Sequence, residues 1–242
     1  MDAARALGAY LMRQLVLAVR LPDSAVFDAF HPGPNGEAVD YLRHVMARAT
    51  PGAWLWGPAA VGKTHLLQAA CGSVAGAAYL PADELAARGP AALEGWEDRP
   101  LVCLDDLHRL AGEPAWELAL FSLVNRLAER GGKWLAAADS SPSASGVCLP
   151  DLVSRLAWGT AFRLKPLEEE QRIAALRLRA RHRGLELPPE TARYLMRRLP
   201  RDMRALCDWL DRLDVASLAA QKRLTVPFVR DVIAGTEEGP GA

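Results

Sequence analysis

The sequence of 242 residues predicts an α/β fold, in which a five-stranded parallel sheet lies between helices and is followed by a smaller all-helical domain. Three observations support this prediction. Short apolar segments with strand character alternate with helical segments along 36–165. A glycine-containing loop at 57–64 joins the first of these strands to a helix. After Pro166 only helix-like segments follow, which marks a change of domain.

Apolar periodicity predicts the individual helices and strands. The first helix is predicted over 37–49, where Val39, Leu42, Val45 and Met46 recur at spacings of three and four. Short apolar runs predict strands at 53–56, 77–80, 101–104, 134–138 and 160–164. Helices between and after them are predicted at 64–75, 82–87, 114–130, 150–156, 168–183, 189–199, 201–219 and 226–234.

These elements divide the chain into four regions. Prolines and glycines at 32–36 predict that residues 1–35 form an extended N-terminal arm. The α/β domain is predicted over 36–165 and the helical domain over 166–235. Residues 236–242 are expected to form a disordered tail.

Composition and charge argue against several classes of protein. The 29 Lys and Arg residues balance 29 Asp and Glu, so there is no overall attraction to nucleic acid or anionic membranes. No apolar run reaches the roughly 18 residues needed to cross a bilayer. The N-terminus lacks a signal-peptide core, so a cytoplasmic protein is expected. The four cysteines are scattered without a C-x-x-C pair, which favours buried reduced thiols over a metal or redox site.

Residues 57–64 fit the pattern G-x-x-x-x-G-K-[ST] of a phosphate-binding loop. The loop follows a short buried strand and opens an apolar helix, which is the setting that the motif requires. Backbone N–H groups of such a loop point inward, and the helix N-terminus adds partial positive charge. Lys63 is expected to reach the β- and γ-phosphates, and the Thr64 hydroxyl is expected to hold Mg²⁺. The predicted nucleotide-binding residues are Gly57, Pro58, Ala59, Ala60, Val61, Gly62, Lys63 and Thr64.

Two carboxylates follow the apolar strand at 101–104. Asp105 emerges at the carboxyl end of this strand, where a magnesium site beside a phosphate-binding loop needs an acid. Asp106 is predicted to orient the attacking water. Because its side chain is one methylene shorter than that of a glutamate, we expect weak intrinsic ATPase activity. The alternative is that both acids cap the next helix near Leu107.

The phosphate-binding loop, the apolar strand that ends in two acids, the five strands and the trailing helical domain resemble an AAA+ ATPase domain of the replication-initiator clade. The resemblance implies that Asp139 is the sensor 1 residue near the γ-phosphate. It implies that Arg155 is the arginine finger, which in AAA+ assemblies points into a neighbour's nucleotide. Arg204 matches sensor 2 on the lid, and His65 joins the nucleotide-binding residues. Arginine suits both roles, since its planar fork grips phosphate oxygens bidentately.

A second motif lies near the start of the chain. Residues 14–19 resemble Q-L-x-L-x-[LF], the peptide by which replication proteins dock on the sliding clamp. In such extended peptides the amide of Gln14 forms hydrogen bonds, while Leu15 and Leu17 share a face and fill an apolar pocket. The alternative is an apolar turn of an N-terminal helix.

The resemblance extends over about residues 14–234 and includes segments such as 149–152 and 224–229. It implies a negative regulator of chromosomal replication initiation, which docks on the DNA-loaded sliding clamp, the β subunit of DNA polymerase III. Arg155 then stimulates hydrolysis of the ATP on the initiator DnaA in trans. The implied cofactors are ADP (or ATP) and Mg²⁺, and the implied location is the nucleoid, through the clamp. A homodimer is allowed. DnaA continues into a DNA-binding domain for which this chain has no room, so no sequence-specific DNA binding is expected.

Two other functions remain open at this point. An AAA+ ATPase acting on its own, as an initiator-like or helicase-loader protein, would carry the same loop and Asp105, but it would not need a clamp peptide. A small-molecule P-loop kinase would need an acceptor site and a mobile lid but no arginine finger. The helical domain after Pro166 argues against the kinase.

The clamp peptide gives a direct test. Replacing both Gln14 and Leu15 by alanine should abolish pull-down by the sliding clamp, because it removes the amide and one apolar anchor. Nucleotide binding, measured on the same protein, should stay intact. Clamp binding that persists in the double variant would remove the docking hypothesis.

Overall fold

The computed structural model describes residues 25–200 and 202–237. Contacts group these residues into two compact units. The first unit comprises residues 25–27, 35–59 and 63–165, and the second comprises 28–34, 60–62 and 166–237. The clamp-peptide residues Gln14, Leu15 and Leu17 lie outside the described residues, so the docking hypothesis stays a prediction.

The first unit is built on a five-stranded parallel sheet, which confirms the predicted fold class. The strand order is β2-β3-β4-β1-β5, so β4 lies between β3 and β1. The strands are β1 Gly52–Trp56, β2 Ala78–Pro81, β3 Leu101–Asp105, β4 Lys133–Ala138 and β5 Thr160–Arg163.

Helices connect the strands and then form the second unit. Those of the first unit are α1 Gly36–Arg43, α2 Lys63–Ser73, α3 Ala82–Ala86, α4 Pro114–Glu129 and α5 Pro150–Ala157. Those of the second unit are α6 Glu169–His182, α7 Pro189–Arg198, α8 Met203–Ala220 and α9 Val226–Glu237. Short 3₁₀ turns occur at Phe27–Ala29, Gly33–Asn35, Val45–Ala47, Pro90–Leu93, Leu107–Leu110 and Pro142–Ala144.

The first helix is shorter than the sequence predicts. The apolar spacing predicts a helix over 37–49, whereas α1 ends at Arg43. The His44 ring explains the early end, because its Nδ1 lies 2.9 Å from the carbonyl oxygen of Asp40. In a continued α-helix that oxygen would accept from the His44 backbone N–H. The His44 N–H instead donates to Tyr41 at 3.2 Å, and a 3₁₀ turn follows.

The core of the first unit forms because helices cover both faces of the sheet. Every residue of β3 and β4 is buried, as expected for strands in the middle of a parallel sheet. Trp54 and Trp134 are completely buried, and the indole N–H of Trp54 donates to the Ser140 carbonyl at 2.8 Å. The edge strand β5 alternates between half-buried and exposed residues. The carboxyl edge of the sheet is therefore held by a rigid centre.

The second unit has an apolar core of its own. Its members are shared among all four helices and include Leu176, Leu195, Leu210 and Val229. The Thr191 hydroxyl is fully buried and donates to the Leu224 carbonyl at 2.9 Å. The helical C-terminal domain predicted from the loss of strands after Pro166 is confirmed.

Two further properties of the described residues concern membrane insertion and the cysteine thiols. Within 25–200 and 202–237, no helix combines the length and the apolar character needed to cross a membrane. All four cysteines are free. Cys71, Cys103 and Cys207 are buried as expected, but Cys148 is exposed, because it lies in the loop before α5.

A buried carboxylate fixes the start of α5. The Glu117 side chain, on α4, is 2% exposed and accepts backbone N–H bonds from Gly112, Cys148 and Leu149 at 2.7–2.9 Å. Burial by itself acts to raise the pKa of Glu117, but these three N–H groups outweigh it and the pKa is lowered. Glu117 therefore holds the chain immediately before the first residue of α5.

The lowered pKa gives a stability prediction with a defined sign. A hydrogen bond to an ionised group contributes about 1.5–3 kcal/mol to stability. Glu117→Gln replaces the charged acceptor by a neutral one, so the free energy of unfolding at pH 7 should fall by an amount of this order. A carboxylate whose folded pKa is lowered stabilises the fold above its unfolded pKa of about 4.3, and this contribution is lost as the pH falls through the folded pKa. The deficit of the variant should therefore shrink below about pH 4.

Urea unfolding across this pH range measures the deficit. The matched control is Glu113→Gln, which changes an exposed glutamate at the start of the same helix and should leave stability nearly unchanged. A Glu117→Gln deficit that is independent of pH would contradict the assignment of charged hydrogen bonds to this residue.

Candidate functional site

The predicted phosphate-binding loop, residues 57–64, adopts a backbone that its glycines make feasible. Gly57 and Gly62 have φ of 146° and 100°, values that residues with a side chain rarely adopt. A Cβ on Gly57 would lie 2.5 Å from the Leu164 carbonyl oxygen, and one on Gly62 would lie 2.6 Å from the Phe30 ring. Ala60 is also left-handed, with φ of 59°. Neither glycine position therefore has room for a side chain.

Lys63 belongs to this loop and is also the first residue of helix α2. Its ammonium donates to the carbonyl oxygens of Gly57 and Pro58 at 2.7 and 2.9 Å, so the side chain folds back over the loop. Burial lowers the pKa of Lys63, while the charges of Asp106, Asp105 and Asp139 act in the opposite direction. The structure therefore brings the predicted lysine and three predicted carboxylates into one electrostatic cluster.

Asp105 is the buried member of this cluster, at 4% exposure. Its carboxylate accepts hydrogen bonds from the Tyr79 hydroxyl at 2.6 Å, from the Asp106 backbone N–H at 3.1 Å and from the Thr64 hydroxyl. Burial raises the pKa of Asp105, whereas the two hydroxyl bonds lower it. Thr64 and Asp105, the two predicted magnesium ligands, are therefore hydrogen-bonded to each other.

Tyr79 is a site residue that the sequence analysis missed. Burial and the neighbouring Asp105 charge raise the pKa of Tyr79 far above its ordinary value, so its hydroxyl stays a donor to Asp105. The side chain of Gln68, on α2, also bonds to Tyr79. Pairing of β2 beside β3 places Tyr79 next to Asp105, and no motif in the sequence marks either the tyrosine or the pairing.

Asp106 adopts a left-handed backbone, with φ of 55°. Aspartate is several-fold enriched among the non-glycine residues in this region, which suits it to the position. Asp106 is the residue before the 3₁₀ turn Leu107–Leu110, but its side chain makes no capping hydrogen bond. The alternative role as a helix cap therefore has no support at Asp106, whose carboxylate stays half-buried beside Lys63.

Asp139 follows β4 at the same edge of the sheet. One carboxylate oxygen accepts from the Ser140 hydroxyl at 2.9 Å, and the other lies 3.9 Å from Nε2 of His108. His108 is a second neighbour that sequence reasoning missed, since a histidine two residues after the acid pair carries no motif. Because β4 lies between β1 and β3, Asp139 stands between the phosphate-binding loop and Asp105.

His65 is placed differently from the other predicted nucleotide-binding residues. Its ring is buried, and Nε2 lies 2.9 Å from the Val26 carbonyl oxygen. The side chain therefore anchors the segment before α1 onto α2. Only the backbone N–H of His65, in the first turn of α2, is left for the predicted phosphate contact.

The two predicted arginines lie on other elements. Arg155 is half-buried in the last turn of α5, and the chain re-enters the sheet at Thr160, in register with Ala53 near the start of β1. Arg155 therefore lies toward the amino edge of the sheet, away from the Lys63 cluster at the carboxyl edge. Arg204 is exposed in the first turn of α8, in the second unit, where the Asp202 carboxylate caps the helix by accepting from Ala205 at 2.8 Å.

The carboxyl-edge cluster suits a phosphate group with a divalent cation. The loop leads into the first turn of α2, whose N–H groups favour an anion, and it brings a lysine to the same place. Thr64 and Asp105 supply the hydroxyl and carboxylate oxygens that Mg²⁺ prefers. A cation there would also offset the cost of burying the Asp105 charge.

Comparisons with known proteins agree with this architecture. The family model described as Hda, lid domain, matches residues 169–233. Domain III of the replication initiation protein DnaA from Thermotoga maritima superposes with a TM-score of 0.75 and 21% identity, over 91% of this chain and 100% of that one. AMPPCP-bound DnaA from Aquifex aeolicus superposes with a TM-score of 0.69 and 21% sequence identity, over 90% of this chain and 71% of that one. The Thermotoga maritima RuvB Holliday junction branch migration motor superposes with a TM-score of 0.61 and 15% sequence identity, over 83% of this chain and 66% of that one.

These matches fix the fold and the type of lid. The first unit has the fold of initiator-type AAA+ domains, and the second carries an Hda-type lid. The match at residues 169–233 concerns the lid, and the DnaA structures share the fold of the chain; together they confirm the predicted resemblance to the replication-initiator clade.

Lys63 provides the test of the phosphate-binding prediction. Lys63→Ala should weaken ADP binding about 10- to 150-fold, the equivalent of a charged hydrogen bond worth about 1.5–3 kcal/mol. Isothermal titration calorimetry measures the affinity. The control is Lys222→Ala, which removes an exposed lysine after α8 and should leave the affinity unchanged. Equal ADP affinity in wild type and Lys63→Ala would defeat the prediction.

Proposed function

We propose that this chain is a nucleotide-bound AAA+ regulator of replication initiation, which stimulates hydrolysis of the ATP on DnaA. The arginine finger is Arg155, acting in trans, and residues 14–19 tether the protein to the sliding clamp on DNA. Two observations support this proposal: residues 169–233 match an Hda lid domain, and Arg155 lies in the last turn of α5, shortly before Thr160 pairs with Ala53 near the start of β1.

The chain's own nucleotide is ADP or ATP. Lys63 uses two of its three N–H donors on loop carbonyls, so one is left for a phosphate oxygen. Thr64 and Asp105 hold Mg²⁺, which neutralises negative charge on phosphate oxygens when it is bound. Two solved DnaA structures of the same fold carry AMPPCP, an analogue of ATP, which supports a nucleotide at this site.

Intrinsic hydrolysis is weak. Asp106 orients water poorly because its short side chain is attached to a left-handed backbone that sets its direction. Asp139 and Arg204 act as nucleotide sensors, as the resemblance to the clade implies. The bound nucleotide therefore serves chiefly to hold the protein in its active conformation.

Arg155 is available to a second protein. Within 25–200 and 202–237 no carboxylate forms an ion pair with Arg155. Among the same residues, its one cation–π contact is with Trp158. An arginine supplied in trans stabilises the charge that develops on the transferred phosphoryl group, and such fingers raise hydrolysis by about 10³–10⁵. The chain thus completes the partner's active site with one residue.

DnaA is the proposed partner because the first unit has the initiator-type fold. Two AAA+ domains of one clade can place the finger of one against the nucleotide of the other. The clamp peptide restricts this encounter to DNA that has been replicated, which makes the chain a negative regulator of re-initiation. Of the alternatives, an AAA+ ATPase acting on its own would instead hydrolyse ATP without DnaA.

The hydrolysis assay separates these functions. DnaA loaded with labelled ATP is incubated with DNA-loaded clamp, with and without this chain, and released phosphate is measured. We expect stimulation only when the chain and the clamp are both present. Arg155→Ala should reduce the stimulated rate by a factor of at least about 10³, because the finger supplies most of the rate increase.

Arg130→Ala is the matched control. Arg130 is an exposed arginine near the amino edge of the same sheet, paired with Asp98, and an exposed ion pair of this kind contributes little to stability, about 0–1 kcal/mol. Arg130→Ala should therefore stimulate ATP hydrolysis on DnaA as well as the wild type does. Full stimulation by Arg155→Ala, or equal ATP hydrolysis with and without DnaA, would overturn the proposed function.

A further inference from the structure

Trp158 is the one tryptophan of the described residues that stands exposed, at 59%. It lies directly after α5, and the guanidinium carbon of Arg155 sits 4.3 Å from the centre of its ring. The other arginine–aromatic stacks among residues 25–200 and 202–237 are longer, at 5.0–5.7 Å. The observation that singles out Trp158 is therefore this short contact with the candidate finger, in which an aromatic ring faces a guanidinium group.

The backbone around Trp158 is fixed on both sides. Its N–H donates to the Arg155 carbonyl at 3.2 Å, and the N–H of Gly159 donates to Leu156 at 3.2 Å. A Cβ on Gly159 would lie 2.6 Å from the buried Trp134 ring, so the chain is pressed against the core there. The Trp158 ring is therefore held outside the core by the path of the backbone.

The other end of α5 is equally constrained. Glu117 accepts the N–H groups of Cys148 and Leu149, immediately before the helix starts. Leu152 and Leu156 bury the inner face of the helix. Helix α5, which carries Arg155 and leads directly into Trp158, is therefore held at both ends.

Stacking and phosphate binding use different parts of a guanidinium group. The indole ring contacts the flat face, whereas the N–H donors lie in the plane and point outward from its edge. An arginine stacked on tryptophan therefore keeps its donors free for a phosphate oxygen. A carboxylate partner would occupy those same donors, and no carboxylate among the described residues pairs with Arg155.

We propose that Trp158 is a positioning residue, which holds the Arg155 guanidinium by its face so that its edge meets the phosphate of a partner's nucleotide. This inference rests on the proposed function. The stack limits the rotamers of the long arginine side chain, so less conformational entropy is lost when its donors engage the phosphoryl group in the transition state of the bound complex.

The test measures stimulated hydrolysis on ATP-loaded DnaA with DNA-loaded clamp, as a function of the concentration of this chain. Trp158→Leu should lower the maximal rate about two- to fivefold, which is the rate equivalent of an exposed cation–π contact. The concentration for half-maximal stimulation should not change. Trp158→Phe, which keeps an aromatic face, should restore most of the rate. In an Arg155→Ala background, Trp158→Leu should have no further effect.

A control and a spectroscopic readout accompany the assay. Trp96→Leu removes another arginine–tryptophan stack of the first unit, that of Arg99, and should leave the maximal rate unchanged. Ring currents should move the Arg155 Hδ signals upfield in the wild type, and Trp158→Leu should return them to ordinary arginine values. Thermal unfolding verifies that each variant is folded.

The outcomes separate the inference from the proposed function. If Arg155→Ala stimulates like wild type, the proposed function fails. If Arg155→Ala abolishes stimulation but Trp158→Leu stimulates like wild type, only the positioning role is overturned. Equal damage by Trp158→Phe and Trp158→Leu, or a change confined to the half-maximal concentration, also overturns it.

Discussion

The pairing of β4 between β1 and β3 is the constraint on which the candidate site depends. In a parallel sheet all carboxyl ends meet at one edge, so this order gathers the loop after β1, Asp139 after β4 and Asp105 at the end of β3. Complete burial of β3 and β4 and the closely packed Trp54 and Trp134 hold that edge rigid. Electrostatic preorganisation of the cluster is therefore a consequence of core packing.

The opposite edge of the sheet carries the other half of the proposed chemistry. Arg155 lies toward the amino edge, so the first unit carries the Lys63 cluster at one edge of its sheet and the proposed finger toward the other. A sheet with four of its strands largely buried transmits little deformation between the edges, because interiors are packed like crystals. The two activities can then depend on one fold while acting on different nucleotides.

Several residues without any motif do the positioning. Glu117 fixes the start of α5 through the N–H groups of Cys148 and Leu149, and Tyr79 orients Asp105. The His65 ring ties the segment before α1 to α2 instead of facing a ligand. Such residues show that the geometry of a conserved-looking motif is maintained by partners remote in sequence, in keeping with the role of second-sphere hydrogen bonds in orienting functional groups.

Local patterns were enough to predict the strands, most helices, the glycine loop with Lys63, and the acids at 105 and 106, because periodicity and motif spacing act over a few residues, whereas Asp139 followed only from the family resemblance. The strand order, the contacts of Tyr79 and Glu117 and the use of the His65 ring were decided by the tertiary structure alone. Each of them joins an element to a partner whose choice depends on which buried surfaces fit together. The partner is selected by packing contacts between elements that are distant in the sequence, and a short segment of the sequence does not contain that information.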